Sequence, residues 1–229
     1  MSGELQPRRT IRSFVQRAGR ITRAQERALE ELWPRVGIAY APGVLDLDTV
    51  FGRRARRVLE IGIGDGETLL ALAAAHPDTD FLGVEVHRPG VGHCLLGIEA
   101  ASLGNVRLVA HDAVEVLEHQ LPDASLDELL LYFPDPWPKK RHHKRRIVQP
   151  GFVELVARKL RPGGVFRLAT DWAPYATHML EVLRESASFA NASPAGDYVP
   201  RPGSRPLTKF ERRGERLGHE VFDLEFRRR

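Results

Sequence analysis

Cysteine is almost missing from this chain: Cys94 is the only one among 229 residues. One thiol excludes a disulfide within the chain and any multi-cysteine metal site. Long apolar runs are missing too, none approaching the roughly 18 residues of a membrane span, so no membrane partner is expected. The first residues are polar and arginine-rich, without the apolar centre of a secretion signal, which points to the cytoplasm. Neither repeats nor low-complexity tracts interrupt the sequence, and its length suits one α/β domain with extensions. Acidic residues fall short of basic ones, 30 against 34, giving a pI near 9.5. The excess is uneven, with eight arginines against four glutamates in residues 1–35. Clustered positive charge favours a polyanionic partner, although a soluble surface alone can carry it.

What is present is an alternation of short apolar runs with helical ones. Residues 1–23 read as a basic arm with few apolar anchors, and Ala24 to Trp33 as a short helix that Pro34 ends. A connecting loop runs to residue 56 and carries a basic tetrad around Arg53 to Arg57. Arm and helix make an N-terminal extension over residues 1–50, and the domain proper is expected over 51–229. Strands are predicted at 58–61, 81–84, 106–110, 126–132 and 165–169, and helices at 67–75, 91–102, 113–121, 149–160 and 174–186. Leu103-Gly104-Asn105 reads as the stop of the second of these helices. The order predicts an α/β, doubly wound sheet, mostly parallel, with Val221 to Phe226 as an antiparallel C-terminal edge strand. Such sheets bind ligands beyond the C-terminal ends of their strands. Glu60, Glu85, Asp112, Asp135 and Asp171 all fall at or just past such ends.

Glu60-x-Gly62-x-Gly64-x-Gly66 joins the first core strand to its helix. A dinucleotide fingerprint is spaced Gly-x-Gly-x-x-Gly and seats a pyrophosphate at the helix start. Here the spacing is two and two, and Glu67 stands where the third glycine would fall, opposing a pyrophosphate. An acidic residue two before the first glycine suits a ligand with an ammonium group and no phosphate, such as S-adenosylmethionine. Glu85 can accept both hydroxyl protons of a ribose, which separates neither NAD nor S-adenosylmethionine. Asp112 is placed to meet an adenine amino group, to cap the helix at 113–121, or both.

From Tyr132 to Arg146 the chain reads Tyr-Phe-Pro-Asp-Pro-Trp-Pro-Lys-Lys-Arg-His-His-Lys-Arg-Arg. Asp135 stands between two prolines and Trp137 between two more, so a stiff loop is predicted that neither continues the strand nor starts a helix. Six Lys/Arg and two His follow in residues 139–146. A carboxylate and an indole beside an anion attractor suit chemistry on a planar, phosphate-bearing substrate; the competing reading is a solvated basic helix start. Trp137 either stacks on a base or plugs the core. His142 and His143 lack an acidic or cysteine partner at ligand spacing, so phosphate contact is expected of them and no metal. Asp171, in Thr170-Asp171-Trp172, orients a base or caps the following helix. Thr208-Lys209-Phe210-Glu211 lies in a long Pro- and Arg-rich segment and reads as a flap over a nucleotide or a surface connection.

Taken in order, Glu60 to Gly66, Gly83-Val84-Glu85-Val86-His87, His111-Asp112-Ala113, Phe133-Pro134-Asp135-Pro136-Trp137, Thr170-Asp171-Trp172 and Thr208-Lys209-Phe210-Glu211 resemble the motifs of the bacterial tRNA (guanine-N7-)-methyltransferase family. The resemblance spans about residues 55–226, its last four motifs are the more specific, and residues 1–50 carry none of it. It implies a class I methyltransferase Rossmann-like fold, S-adenosylmethionine as cofactor and tRNA as partner. It also implies Glu60, Glu85, Asp112 and Asp135 as cofactor contacts beside Gly62, Gly64 and Gly66, with Asp135 also the catalytic residue. Lys139, Asp171, Thr208, Lys209, Phe210 and Glu211 correspond to substrate-contacting positions, and Arg141, His142, Lys144 and Arg145 become RNA-contact candidates. Guanine N7 has a lone pair and no proton, so attack on a sulfonium methyl needs no general base, and catalysis rests on positioning and electrostatics. Asp135 either accepts from guanine N–H groups and offsets the ring's new charge, or only holds the methionine amino group. The competing functions are an NAD-dependent oxidoreductase and an RNA-binding protein of the same fold without activity of its own. Monomer and homodimer both remain open.

Overall fold

Helices carry the chain from one strand to the next over most of its length, which lays the strands side by side and parallel. The structure, a computed structural model, describes residue 14 and residues 19–208, 211–212, 218 and 220–229. In chain order the elements are α1 (Arg23–Glu31), α2 (Trp33–Val36), β1 (Gly37–Ile38), α3 (Leu47–Phe51), β2 (Arg56–Ile61), α4 (Glu67–Ala75), β3 (Thr79–Val84) and α5 (Arg88–Ala100). Then follow β4 (Val106–Val109), α6 (Ala113–His119), β5 (Leu126–Tyr132), a 3-10 helix (Lys140–Arg145), α7 (Pro150–Lys159), β6 (Leu160–Thr170), α8 (Ala173–Glu185), β7 (Phe189–Asn191) and β8 (Phe222–Arg228). They form one sheet of order β1-β4-β3-β2-β5-β6-β8-β7. Every pairing from β1 to β6 is parallel, and β8 is antiparallel to both β6 and β7.

The central residues of β2 and β5, Val58, Leu59, Leu129, Leu130 and Leu131, are apolar at adjacent positions because both faces of the sheet are covered there. Alternate residues separate: Leu59, Leu129 and Leu131 face α6, α7 and α8, while Val58 and Leu130 face α1, α4 and α5. Beyond β5 the second face turns polar. There Arg56 of β2, Glu128 of β5, Arg167 of β6 and Glu225 of β8 pair in a row, at 2.6, 2.6 and 2.7 Å.

Four expectations are corrected. Pro34 does not end the first helix but lies in the first turn of α2, where its missing N–H has no partner to lose. The stretch expected as a connecting loop holds α2, β1 and α3. Its basic tetrad serves the sheet's N-terminal end: Arg53 pairs with buried Asp80 at 2.7 Å, Arg56 with Glu128, and Arg57 with Asp48. Gly104 is not the stop of α5; Ser102 takes the left-handed position at φ 51°, with Leu103 N bonding Ile98 O and Ser102 N bonding Glu99 O, the paired bonds of a Schellman end. Finally, the C-terminal strand is antiparallel but not the edge. It lies inside, and the edge is β7, whose three residues are too short to show any alternation.

β8 also contributes Asp223 to a buried charge cluster. Arg205, 2% exposed, donates to both oxygens of Asp223 at 2.8 and 3.0 Å and pairs with buried Glu211. Burial pushes the Asp223 carboxyl up, and the Arg205 charge opposes that shift. Removing the cation leaves two carboxylates in a dry setting. Arg205→Ala should therefore destabilise the fold by about 3–5 kcal/mol, whereas exposed Arg227→Ala should stay within about 0.5 kcal/mol; denaturant unfolding of the two variants checks this.

Candidate active site

Three consecutive left-handed glycines turn the chain out of β2. Gly62, Gly64 and Gly66 have φ of 73, 55 and 84°, a region that costs glycine nothing and other residues much. Gly66 has a second reason to lack a side chain, since an added Cβ would lie 2.6 Å from Cys94 Sγ on α5. Gly90, at the start of α5, likewise approaches within 2.4 Å (measured to an ideal Cβ) of the Gly64 carbonyl oxygen. The loop is thus pressed against α5 from beneath and open above, where added Cβ atoms at Gly62 and Gly64 would meet nothing. Glu85, just past β3, fixes its height: Oε2 accepts from Gly64 N at 2.9 Å, and Oε1 from Val86 N and His87 N at 2.7 and 2.9 Å.

Above the loop lies a cleft of about 570 Å³. Of the expected cofactor residues, Glu60, Gly62, Gly64, Glu85, Asp112 and Asp135 line it, together with Thr208; Gly66 sits buried below. Lys139, Asp171, Glu211 and the basic residues Arg141, His142, Lys144 and Arg145 do not line it. Lys209 and Phe210 lie outside the described residues. Asp112 is the N-cap of α6, its Oδ1 accepting from Val114 N at 2.9 Å. Thr208 and Glu211 form a reciprocal capping pair, Glu211 N to Thr208 Oγ1 at 3.2 Å and Thr208 N to Glu211 Oε2 at 3.4 Å. The spacing Thr-x-x-Glu is a capping-box signature and could have been read from the sequence. His87, from the motif that ends β3, also lines the cleft, as do Phe14 and Ile147, which nothing in their local sequence singles out. His111 stacks on Tyr40 at 3.6 Å between centroids and bonds Glu115, a pairing 71 positions apart that no local pattern reveals.

Glu60 is the unusual group. It is 4% exposed, and its Oε2 has no hydrogen-bond partner among the described residues. Burial, and then the charge of Glu85, push its carboxyl up to about 8. A buried carboxyl with an unused oxygen at a cleft wall fits a cationic ligand group that would supply the missing partner. The other lining carboxylates, Asp65, Glu67, Glu85, Asp112 and Asp135, add to a negative field that repels phosphate and attracts cations. Cys94 lies close by, but burial pushes its thiol up to about 12, so it is not a nucleophile.

The loop after β5 forms the far wall. Phe133 N extends the β5–β6 pairing by bonding Ala169 O at 2.8 Å. Phe133 and Trp137 hold left-handed φ of 51 and 44°, each directly before a proline. The expected helix exclusion holds as far as Pro138, after which the basic residues form the 3-10 helix. Lys139, Lys140, Arg141 and Lys144 are exposed. Arg145 instead lies over Trp137 at 4.3 Å, with His142 edge-on to the same ring. Trp172, at the end of β6 beside Asp171, is 40% exposed. Among the described residues, no three His, Cys, Asp or Glu are grouped to hold a metal ion, and no helix is long and apolar enough to cross a membrane.

A family model described as "Putative methyltransferase" matches residues 54–224. The chain is 59% identical over 225 residues to the tRNA (guanine-N(7)-)-methyltransferase of Pseudomonas aeruginosa PAO1, covering 98% of this chain and 92% of that protein. It is 60% identical over 222 residues to the tRNA (guanine-N(7)-)-methyltransferase of Stutzerimonas stutzeri, covering 97% and 93%. Among solved structures, the 16S rRNA methyltransferase KamB superposes with a TM-score of 0.59 at 18% identity, covering 85% of this chain and 98% of that one, which speaks to the fold.

The Glu60 carboxyl makes stability depend on pH. Its value is about 8 in the folded state against an ordinary 4.5, so the folded protein holds a proton that the unfolded chain loses. The stabilisation is complete below pH 4.5 and is lost as pH rises towards 8, with a slope of up to about 1.4 kcal/mol per pH unit. Glu60→Gln should remove that slope in melts of the ligand-free protein. In the unsubstituted protein, binding of an ammonium-bearing ligand should release a proton below pH 8, which calorimetry in buffers of different ionisation enthalpy will measure.

Proposed function

Since this chain belongs to the tRNA (guanine-N7-)-methyltransferase family, we propose that it methylates N7 of a guanine in tRNA, in the cytoplasm, with S-adenosylmethionine in the glycine-loop cleft. The observation that carries this is the unpartnered buried oxygen of Glu60, in a cleft with six carboxylates on its walls. Such a wall disfavours the two phosphates of NAD and suits a ligand with cationic centres. When bound, S-adenosylmethionine supplies a methyl group on a positively charged sulfur.

The protein's share is binding and orientation. Glu60 holds the ammonium of the methionine portion. Glu85 already accepts three N–H groups of the roughly four a carboxylate can take, so it has room for one ribose hydroxyl. Asp112 meets the adenine edge beside its capping bond, and Gly62 and Gly64 leave space for close approach. Guanine N7 carries no proton, so no side chain need act as a base. Asp135, fixed between prolines at the cleft wall, accepts from guanine N–H groups and offsets the positive charge that methylation leaves on the ring. Lys139, Arg141, Lys144 and, on leaving Trp137, Arg145 and His142 contact phosphates. Asp171 and Thr208 orient the base, Lys209 and Phe210 cover it, and Glu211 acts through Arg205 and Thr208 to hold that segment.

Incubating the purified protein with bulk tRNA and methyl-labelled S-adenosylmethionine, then mapping the modified base, tests the function; label anywhere but guanine N7 refutes it. Asp135→Ala should lower turnover by about a hundredfold or more while changing stability by less than about 0.5 kcal/mol. Arg141→Gln with Lys144→Gln should weaken tRNA binding, leave S-adenosylmethionine binding intact, and flatten the log-affinity against log-salt slope by about 1.4, at about 0.7 per lost phosphate contact.

A further inference from the structure

Arg146 closes the basic run in sequence but does not share its surface. Lys139, Lys140, Arg141 and Lys144 are exposed; Arg146 is 4% exposed. Its Nε donates to the Pro136 carbonyl at 2.9 Å, and its Nη2 lies 3.2 Å from His143 Nε2. Its guanidinium lies 4.8 Å from the ring centre of Tyr175. Tyr175 is fully buried in the first turn of α8, and its hydroxyl accepts from Val148 N at 3.4 Å. Burial above all raises the Tyr175 phenol, and the Asp135 charge adds to it, so the ring beneath Arg146 stays neutral.

The carbonyl that Arg146 holds follows Asp135 directly. It lies between Phe133 and Trp137, both in left-handed backbone and both before prolines, where extended geometry is the default. Such conformations persist only where the surroundings over-determine them. Arg146 supplies that constraint by tying the loop to a ring on α8, an element anchored in the core.

We propose that Arg146 is a positioning residue for the methyl transfer: it clamps the Pro136 carbonyl to the Tyr175 ring, keeps Asp135 at the cleft wall, and does not bind tRNA. The proposal rests on the reading of Asp135 as the carboxylate that meets the base. Lysine cannot replace it, because an ammonium lacks the fixed fork of donors that lets one group face the Tyr175 ring while reaching the Pro136 carbonyl and His143.

The test compares Arg146→Gln and Arg146→Lys with Arg141→Gln, using bulk tRNA and S-adenosylmethionine. Both Arg146 variants should lower kcat up to about a hundredfold, the scale of a misplacement near 1 Å, with KM for tRNA and the salt slope of tRNA binding unchanged. Arg141→Gln, at an exposed phosphate contact, should instead flatten the slope by about 0.7. Melting curves establish that the assayed variants are folded; should Arg146→Gln not fold, Arg146→Lys, which keeps the charge and the aliphatic stem, decides alone. Full kcat in Arg146→Lys overturns the proposal, and so does a slope flattened in Arg146→Gln as in Arg141→Gln. Loss of kcat at constant slope supports it. If the unsubstituted protein methylates no tRNA, the functional reading itself falls, an outcome distinct from either.

Discussion

β2 pairs in parallel with β3 on one side and β5 on the other, and the chain leaves it in one direction to reach β3 and β4 before returning to β5. At that reversal the connections part, and a crevice opens at the strands' C-terminal ends. Each feature of the cleft depends on this. The glycine loop caps β2, Glu85 follows β3, Asp112 follows β4 and the proline-braced loop follows β5. Four carboxylates from distant parts of the chain converge because parallel strands in register end at one level.

The crevice also gathers unfavourable features. Glu60 is buried without a partner for one oxygen, and two aromatic residues of the facing loop hold left-handed backbone. Elsewhere, charges pair in the row from Arg56 to Glu225, around Arg205 and between Arg53 and Asp80, while Arg57 Nε, Asp80 Oδ2 and Gln120 Oε1 are also buried without a hydrogen-bond partner among the described residues. A buried acid with one oxygen unpartnered at a ligand-sized crevice, facing a loop held in left-handed backbone, is the kind of local inconsistency that function imposes on a fold.

Much of this was legible in the sequence. Helix α4 and strand β5 fall on their predicted residues because a glycine loop bounds one and a proline run ends the other. Glu60, Glu85, Asp112 and Asp135 could be placed at one level because strand ends are marked by a change from apolar to acidic. What stayed hidden depends on distance in the chain. Tyr40 meets His111, Arg205 meets Asp223, and Arg146 meets Tyr175 through the fold alone. β1 and β7 are too short for a period to appear. The run from Lys139 to Arg146 looked uniform because composition cannot tell an arginine facing solvent from one facing a buried ring.

The place of β8 has a consequence for how the molecule is made. β8 follows every other described element in the chain, yet it lies between β6 and β7. Until it arrives, β7 has no neighbour in the sheet and β6 has an open edge. The parallel part of the sheet, β1 to β6, can form as the chain emerges, amino end first. The antiparallel end, β8 and β7, waits for a segment more than thirty positions beyond β7. Asp223 comes with that segment, so Arg205 and the stretch bearing Thr208 are fastened last. The nascent protein thus builds the glycine-loop crevice from strands already paired, and fixes Thr208 on the crevice wall only at the end.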